Sequence, residues 1–127
     1  MSTGPFRPRR LLVPYDFGPG GDRALRIARM MGAGSLHVLH VLPPPGFGWT
    51  RDDESRRRDA LDALRSALSG TGVEGATRHV LIGGVADRVS ELAGKLECDL
   101  VLVAARVGSR AAAEIVAAAP CSVLVVR

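Results

Sequence analysis

The sequence predicts an α/β fold in which helices cover both faces of a parallel sheet. Short apolar runs alternate along the whole chain with amphipathic segments, which is typical of βα units. In the run at residues 35–42, one set of alternate residues is apolar and the other set is mostly apolar. This is expected of an interior strand that is covered on both faces. Five strands and four helices in strict alternation, joined by right-handed crossovers, give a doubly wound three-layer α/β/α sandwich.

The first half of the chain contains two strands, two helices and a loop. Pro14 is placed near the end of a strand. Proline has no backbone N–H to donate to a neighbouring strand, and this matters least at a strand end. Gly32 and Gly34 end the first helix. Three prolines and two glycines exclude regular structure from residues 43–50 and make that loop the candidate mobile segment. The predicted elements are a strand at 10–15, a helix from about 21 to 31, a strand at 35–42, the loop at 43–50 and a helix at 52–68.

The second half continues the alternation. Gly83 and Gly84 form a turn, Ser109 is a suitable N-cap, and Pro120 prevents the last helix from continuing. The predicted elements are a strand at 76–82, a helix at 85–96, a strand at 99–105, a helix between Ser109 and Pro120, and a strand at 121–126. The expected buried face of the fourth helix consists of Ala112, Ile115, Val116 and Ala119.

Composition narrows the class of protein. The chain has 127 residues, 46% of them hydrophobic and 24% charged, which fits one domain over 1–127 and excludes disorder as the main state. The apolar runs are far shorter than the ~20 residues of a membrane span, and residues 1–10 carry no apolar signal segment, so we expect a cytoplasmic protein with no membrane contact. The net charge is +4, but the aromatic residues are scattered, which argues against a nucleic-acid partner.

Four stretches in order resemble the universal stress protein family over nearly the whole chain. They read LLVPYDF at 11–17, LHVLHV at 36–41, GVAD at 84–87 with DLVLV at 99–103, and APCSVLVVR at 119–127. The resemblance implies the strand order 3-2-1-4-5 and a cytoplasmic α/β dimer involved in stress tolerance. It also implies that one subgroup of the family binds ATP and another does not.

The phosphate-binding motif of the ATP-binding subgroup is incomplete here. That motif, G-x2-G-x9-G-[ST], lies between the fourth strand and fourth helix, where glycine amides and a hydroxyl hold the phosphates. In this chain Gly108 and Ser109 match its end, and about ten residues of loop are missing. We therefore expect no ordinary triphosphate site, although a helix N-terminus flanked by Arg106 and Arg110 suits a smaller anion.

A candidate crevice follows from the implied strand order. Ligands of open parallel sheets bind beyond the carboxyl ends of the strands where the winding reverses, which here is between the first and fourth strands. Tyr15, Asp16, Phe17 and Arg106 would face it. For Asp16 an alternative is a turn in which its carboxylate accepts from the amides of residues 18–20. The candidate cofactor-binding residues, with ATP or AMP as the ligand, are Pro14, Tyr15, Asp16, Val41, Arg106, Gly108 and Ser109.

Other reactive side chains suggest no further chemistry. His37 and His40 fall on opposite faces of a strand, where packing or an edge position explains them, and His79 is isolated, so no metal site is predicted. Cys98 and Cys121 open two strands that the resemblance makes neighbours, which leaves either a redox pair or two buried thiols, the second being favoured. No nucleophile and base have catalytic spacing, so an enzyme is not predicted.

Two main functions remain open, and a less favoured third is a weak nucleotide hydrolase that would depend on Asp16. The favoured hypothesis is a non-catalytic stress-response module with a degenerate nucleotide crevice, acting through an unidentified protein partner. It would form a homodimer through its apolar closing strand, since such an edge needs covering. The alternative is a sensor that still binds ATP, AMP or another small anionic nucleotide.

Overall fold

The computed structural model describes residues 7–45, 52–106 and 108–127, and within them nine elements alternate as predicted. The predicted loop at 43–50 is without regular structure at Pro43, Pro44 and Pro45, and its remainder lies outside the described residues. The elements are β1 (Arg10–Pro14), α1 (Pro19–Met31), β2 (Ser35–Leu42), α2 (Asp53–Leu68), β3 (Thr77–Ile82), α3 (Val85–Lys95), β4 (Leu100–Ala104), α4 (Arg110–Ala118) and β5 (Ser122–Val126).

All five strands are parallel and lie in the order β3-β2-β1-β4-β5, which confirms the predicted fold class. Leu11 is the Cα partner of Leu36 on one side and of Leu100 on the other. The winding direction therefore reverses at β1, and the carboxyl ends of β1 and β4 flank the reversal.

Two apolar cores lie on opposite faces of this sheet. Leu11 and Leu12 are both fully buried because successive strand residues point to opposite sides. Leu11 belongs to the core that packs against α1 and α2, and Leu12 to the core with Val89 of α3 and Ile115 of α4. The near-continuous apolar strands of the sequence are thus explained by helices on both faces.

The amino end of α1 differs from the prediction. The helix begins at Pro19, with Gly18 as an extended N-cap, rather than near residue 21. Proline suits the first helical position because its missing N–H would have no intrahelical partner there, and its fixed φ matches a helix. The early start brings the glycine run into the first turn of α1.

The predicted buried face of α4 was wrong at two positions, because Val116 is exposed and Ala119 is a partly buried C-cap that follows the helix. Ala112 and Ile115 are buried, but Val116 is 53% exposed. The helix packs beside α3 and against β5 at one margin of the sheet, so its buried stripe is narrow. Val116 therefore adds to the apolar surface near this margin.

A carboxylate joins the beginnings of the two central strands. Asp99, just before β4, accepts hydrogen bonds from the backbone amides of Arg9 at 2.8 Å and Arg10 at 2.9 Å. Burial opposes its charge, but these hydrogen bonds outweigh burial and lower the pKa of Asp99.

Among the described residues, no helix combines the length and hydrophobicity needed to span a bilayer.

Candidate functional site

A cavity of about 570 Å³ opens beyond the carboxyl ends of β1 and β4, where the strand order reverses. The seven predicted cofactor-binding residues all line it, whereas Phe17, which was also expected to face the crevice, is not among its described lining residues. His40, Arg23 and a run of glycines line it as well. The predicted lining residues are Pro14, Tyr15, Asp16, Val41, Arg106, Gly108 and Ser109.

Glycines in the first turn of α1 form one wall of this cavity. A Cβ atom added to Gly21 would lie 2.7 Å from Cδ1 of Tyr15, and one added to Gly20 would lie 3.2 Å from Cβ of Ala104. The helix therefore approaches the ends of β1 and β4 more closely than any side chain at residue 21 allows. Sequence analysis placed the start of this helix near residue 21 and assigned the glycines no contact with the sheet.

Tyr15 has a fixed structural position. Its side chain is 5% exposed, and its hydroxyl donates a 2.5 Å hydrogen bond to Oδ1 of Asp22 in the first turn of α1. Burial, together with this carboxylate, raises the pKa of Tyr15. The phenol therefore remains a donor at physiological pH and ties β1 to α1, while Asp22 does more than complement the helix dipole.

Asp16 and Phe17 shape the turn after β1. Oδ1 of Asp16 accepts from the amide of Gly18 at 2.9 Å, which confirms the turn interpretation at that amide. Phe17 has a positive φ of 66°, uncommon for a bulky residue, and its ring lies edge-on to Tyr15 and His40, with ring centroids 5.1 Å and 4.7 Å apart. Phe17 thus packs on residues that line the cavity.

His40 is a lining residue that sequence reasoning missed. Its Nδ1 lies 2.8 Å from the carbonyl oxygen of Tyr15, to which it donates a hydrogen bond. The signal was available, since Val41 was already placed in the crevice and His40 precedes it near the end of a strand adjacent to β1. A polar residue at that depth of β2 is well placed to contact a ligand.

The amino end of α4 forms the opposite wall. Residues 105–109 join β4 to α4, and within this connection Gly108 has a left-handed φ of 78°. The Oγ atom of Ser109 caps the helix by accepting from the amide of Ala112 at 3.3 Å, which confirms the predicted N-cap. The positive end of the helix dipole therefore lies at the cavity.

Cationic side chains are distributed differently from the prediction. Arg106 is exposed and lines the cavity, as expected. Arg110 instead donates to Glu114 along its own helix at 3.1 Å. Arg23, which projects from α1, lines the cavity from the other side. Two guanidinium groups thus flank the cavity, one from each wall.

Metal chemistry has no support at this site. Among the described residues, no group of three or more His, Cys, Asp or Glu side chains is arranged to hold a metal ion. Three side chains at the cavity, those of Asp16, His40 and Ser109, each bond to the backbone, and the hydroxyl of Tyr15 bonds to Asp22. The arrangement suits recognition of a ligand by fixed dipoles and cations.

The fold and this crevice define an open parallel α/β protein with a cavity at the reversal of strand order. The chain belongs to the universal stress protein family, a family of stress-response proteins, whose model matches residues 8–127. Universal stress protein G of Shigella flexneri and that of Escherichia coli O157:H7 are each 30% identical to it over 97 residues, covering 67% of this chain and 68% of the relative.

Solved structures of similar proteins share the fold. A universal stress protein in complex with cAMP superposes with a TM-score of 0.75 at 19% identity, covering 96% of this chain and 99% of that one. The universal stress protein from Archaeoglobus fulgidus in complex with dAMP gives a TM-score of 0.66 at 24% identity, covering 96% and 98%. Universal stress protein UspA from Lactobacillus plantarum gives 0.70 at 20%, covering 97% and 100%.

Proposed function

We propose that this chain is a non-catalytic stress-response module that binds a nucleotide with a single phosphate in the cavity beyond β1 and β4. The observation that carries the proposal is the cavity itself, with a helix amino end and two guanidinium groups around it. Its volume of about 570 Å³ falls within the range of roughly 300–1,000 Å³ that small-molecule sites occupy. The proposal thus adopts the sensor hypothesis, and the size and charge of the cavity restrict the ligand to a small anion.

The phosphate would bind at the amino end of α4. Arg106 supplies a cation there, and the amides that begin α4 supply donors along the helix dipole. Arg23 can reach the same anion from α1 or neutralise a second charge. The nucleoside would then lie toward Pro14, His40 and Val41, which are positioned by β1 and β2.

A triphosphate is disfavoured by the length of the connection between β4 and α4. Residues 105–109 are too few to supply the amide cradle that a longer glycine-rich loop would provide. One phosphate needs few donors, and α4 offers them without that loop. The proposed module does not turn over its ligand, because the side chains of Asp16, His40 and Ser109 are each engaged with the backbone.

Two structural neighbours support a mononucleotide. The proteins solved in complex with cAMP and with dAMP each carry a ligand with one phosphate and share this fold. Their ligands belong to those proteins, and for this chain they identify the compounds to try first.

The test measures the binding of AMP, dAMP, cAMP and ATP to the purified full chain. Binding is monitored by calorimetry and by thermal unfolding. A ligand that binds the native state alone raises the melting temperature by mass action. We expect AMP, dAMP or cAMP to bind at least about tenfold more tightly than ATP, which corresponds to about 1.4 kcal/mol. Tighter binding of ATP, or no binding of any of the four, would refute the proposal.

Two arginine variants locate the phosphate. Arg106→Ala should weaken mononucleotide binding by about tenfold or more, because it removes a charge-assisted partner. Arg110→Ala is the matched control, since this arginine stands at the same helix end but pairs with Glu114. Equal weakening by both variants would show that the effect is general electrostatics and that Arg106 holds no phosphate.

Homodimerisation through β5 completes the proposal. Leu124 and Val125 are each 40% exposed on this strand, which ends the sheet. An apolar edge strand is a hazard unless it is paired or covered. A second copy of the chain is the covering that we propose, with output to an unidentified protein partner through the assembled dimer.

A further inference from the structure

Arg56 of α2 is the one charged residue that is buried in the described part of the chain. It is only 7% exposed, whereas arginine normally keeps its guanidinium group in water. It also lies near the amino end of α2, where the helix dipole disfavours a cation. Neither burial nor the dipole favours this charge, so its position depends on the hydrogen bonds that the guanidinium group makes.

The guanidinium group of Arg56 joins the beginning of α2 to the end of β2. Its Nη2 donates to the carbonyl oxygen of Pro43 at 2.7 Å, and its Nη1 donates to Oδ1 of Asp53 at 3.3 Å. The first of these bonds spans 13 positions of the sequence and reaches the residue that directly follows β2. A planar guanidinium group can serve two separate acceptors at once. Arg56 thus fixes the point at which the chain leaves the sheet.

The carboxyl end of β2 has a strand neighbour on one side only. β1 ends at Pro14, opposite Leu39, and the amide of Tyr15 adds a last hydrogen bond to the carbonyl oxygen of Leu39 at 2.8 Å. On the other side, β3 pairs with β2 as far as Leu42, whose carbonyl oxygen accepts from the amide of Gly83 at 2.9 Å. The last three residues of β2 therefore have no strand on the side of β1, and a further anchor at Pro43 limits their movement.

On the basis of the proposed function, which places the nucleoside toward Val41, we propose that Arg56 is a positioning residue for the nucleoside. It acts through Pro43 and does not touch the ligand, since it is not among the described residues that line the cavity. Val41 lines the cavity and stands two positions before Pro43. An anchored end of β2 holds Val41 in place before the ligand arrives, so binding of the nucleoside does not have to order the strand end.

Two ligands separate the nucleoside from the phosphate. AMP and ribose 5-phosphate carry the same phosphate, but only AMP has a base that can reach Val41. The phosphate end of the proposed site is formed by Arg106 and α4 and does not include Arg56. Loss of the anchor should therefore weaken the binding of AMP and leave that of ribose 5-phosphate nearly unchanged, whereas a purely structural role of Arg56 would weaken both alike.

The test is calorimetric titration of the full chain with AMP and with ribose 5-phosphate. Arg56→Met keeps an unbranched apolar side chain but removes the charge and the donors. It should weaken AMP binding at least about fivefold, while the Kd of ribose 5-phosphate changes by less than about twofold. Arg56→Lys keeps the charge without the planar group and should show the same selective loss if the methionine variant does not fold. Arg58→Met is the matched control, because it removes the same charge from an exposed position of α2, and both Kd values should stay within about twofold of the wild type.

Hydrogen exchange in the ligand-free chain tests the anchor itself. In either Arg56 variant the amide of Gly83, which bonds to Leu42, should exchange at least about tenfold faster than in the wild type. The amide of Tyr15, which bonds to Leu39, should change by less than about twofold, because Leu39 still has a strand on each side. Equal acceleration at both amides would indicate general destabilisation and would count against the proposal.

The wild-type chain separates failure of this role from failure of the nucleotide site. If the wild type binds AMP, then an unchanged exchange rate at Gly83, an unchanged Kd for AMP in the Arg56 variants, or equal weakening of AMP and ribose 5-phosphate would overturn the role of Arg56. An equal loss of AMP binding in Arg58→Met would overturn it as well. If the wild type does not bind AMP, the proposed function fails, and the positioning role fails with it whatever the exchange rates are.

Discussion

A single hydrogen atom at residue 21 sets how closely α1 approaches β1. The ring of Tyr15 occupies the space that a side chain at Gly21 would need, and the bond from its hydroxyl to Asp22 prevents the ring from moving away. Helix propensity alone would favour alanine at this position by about 0.5–1 kcal/mol. The close contact reverses that preference, since a Cβ atom at 2.7 Å must displace a buried ring.

Gly21→Ala should therefore destabilise the protein by about 1–3 kcal/mol, measured as the free energy of unfolding in denaturant. Gly75→Ala is the control, because a Cβ atom there meets nothing within 4 Å. Its effect should lie within about 0.5 kcal/mol of zero. If the Gly21 variant were as stable as the wild type, Tyr15 would have to be free to move.

At the level of elements, the pairing of β2 with β3 includes a half-buried, pH-sensitive contact between His37 and His79. The pKa values of His37 and His79 are both lowered from 6.5 in the folded chain, chiefly by burial. Below about pH 6.5 the unfolded chain takes up protons that the folded chain refuses. The free energy of unfolding should thus fall as the pH decreases through this range.

The His79→Gln variant should reduce that pH dependence. Glutamine cannot be protonated, so the free energy of unfolding, followed between pH 7.5 and pH 5.5, should fall less steeply in the variant than in the wild type. Arg10 is the charged neighbour to keep unchanged in this comparison, because it contributes to the lowered pKa of His37. An identical slope in both proteins would show that the pair does not couple folding to pH.

The elements themselves follow from the sequence, but contacts between them follow less well. Alternation of apolar and amphipathic segments was enough to predict all nine elements, and end errors were small except at α1, where Pro19 extends the helix. The contact of His37 with His79 depends on the register of β2 against β3, which no local pattern reveals. Val116 was misplaced because helical spacing gives the direction of a face and not the width of the partner surface.

Across the whole molecule, the cavity was predictable and its chemistry was less so. The reversal of strand order placed it between β1 and β4 once the resemblance supplied that order. Arg110, which was expected to flank an anion, pairs instead with Glu114 one helical turn away, whereas Arg23 of α1 lines the cavity. Side-chain pairing of this kind depends on helix starts, which sequence patterns locate poorly.

The apolar edge of β5 gives a prediction about assembly. The full chain should be a dimer in size-exclusion chromatography with light scattering, and Leu124→Lys should convert it to a folded monomer, because a charge on an edge strand blocks pairing. Met30→Lys is the matched control, since Met30 is 84% exposed on α1 and should leave the dimer intact. A monomeric wild type, or dissociation by the Met30 variant alone, would contradict assembly through β5.

The near-contact of Gly20 with Ala104 has a consequence for how a ligand is chosen. The lack of a side chain at Gly20 and the Cβ atom of Ala104, a side chain with no rotamers, set the gap between α1 and β4. Replacing Arg23 or Val41 would change the groups that a ligand contacts, while the size of ligand that fits between α1 and β4 would stay the same. Selection of a ligand by size and selection by chemistry are therefore separable in this cavity. Ligand preference can be altered at Arg23 or Val41 without changing the width of the opening.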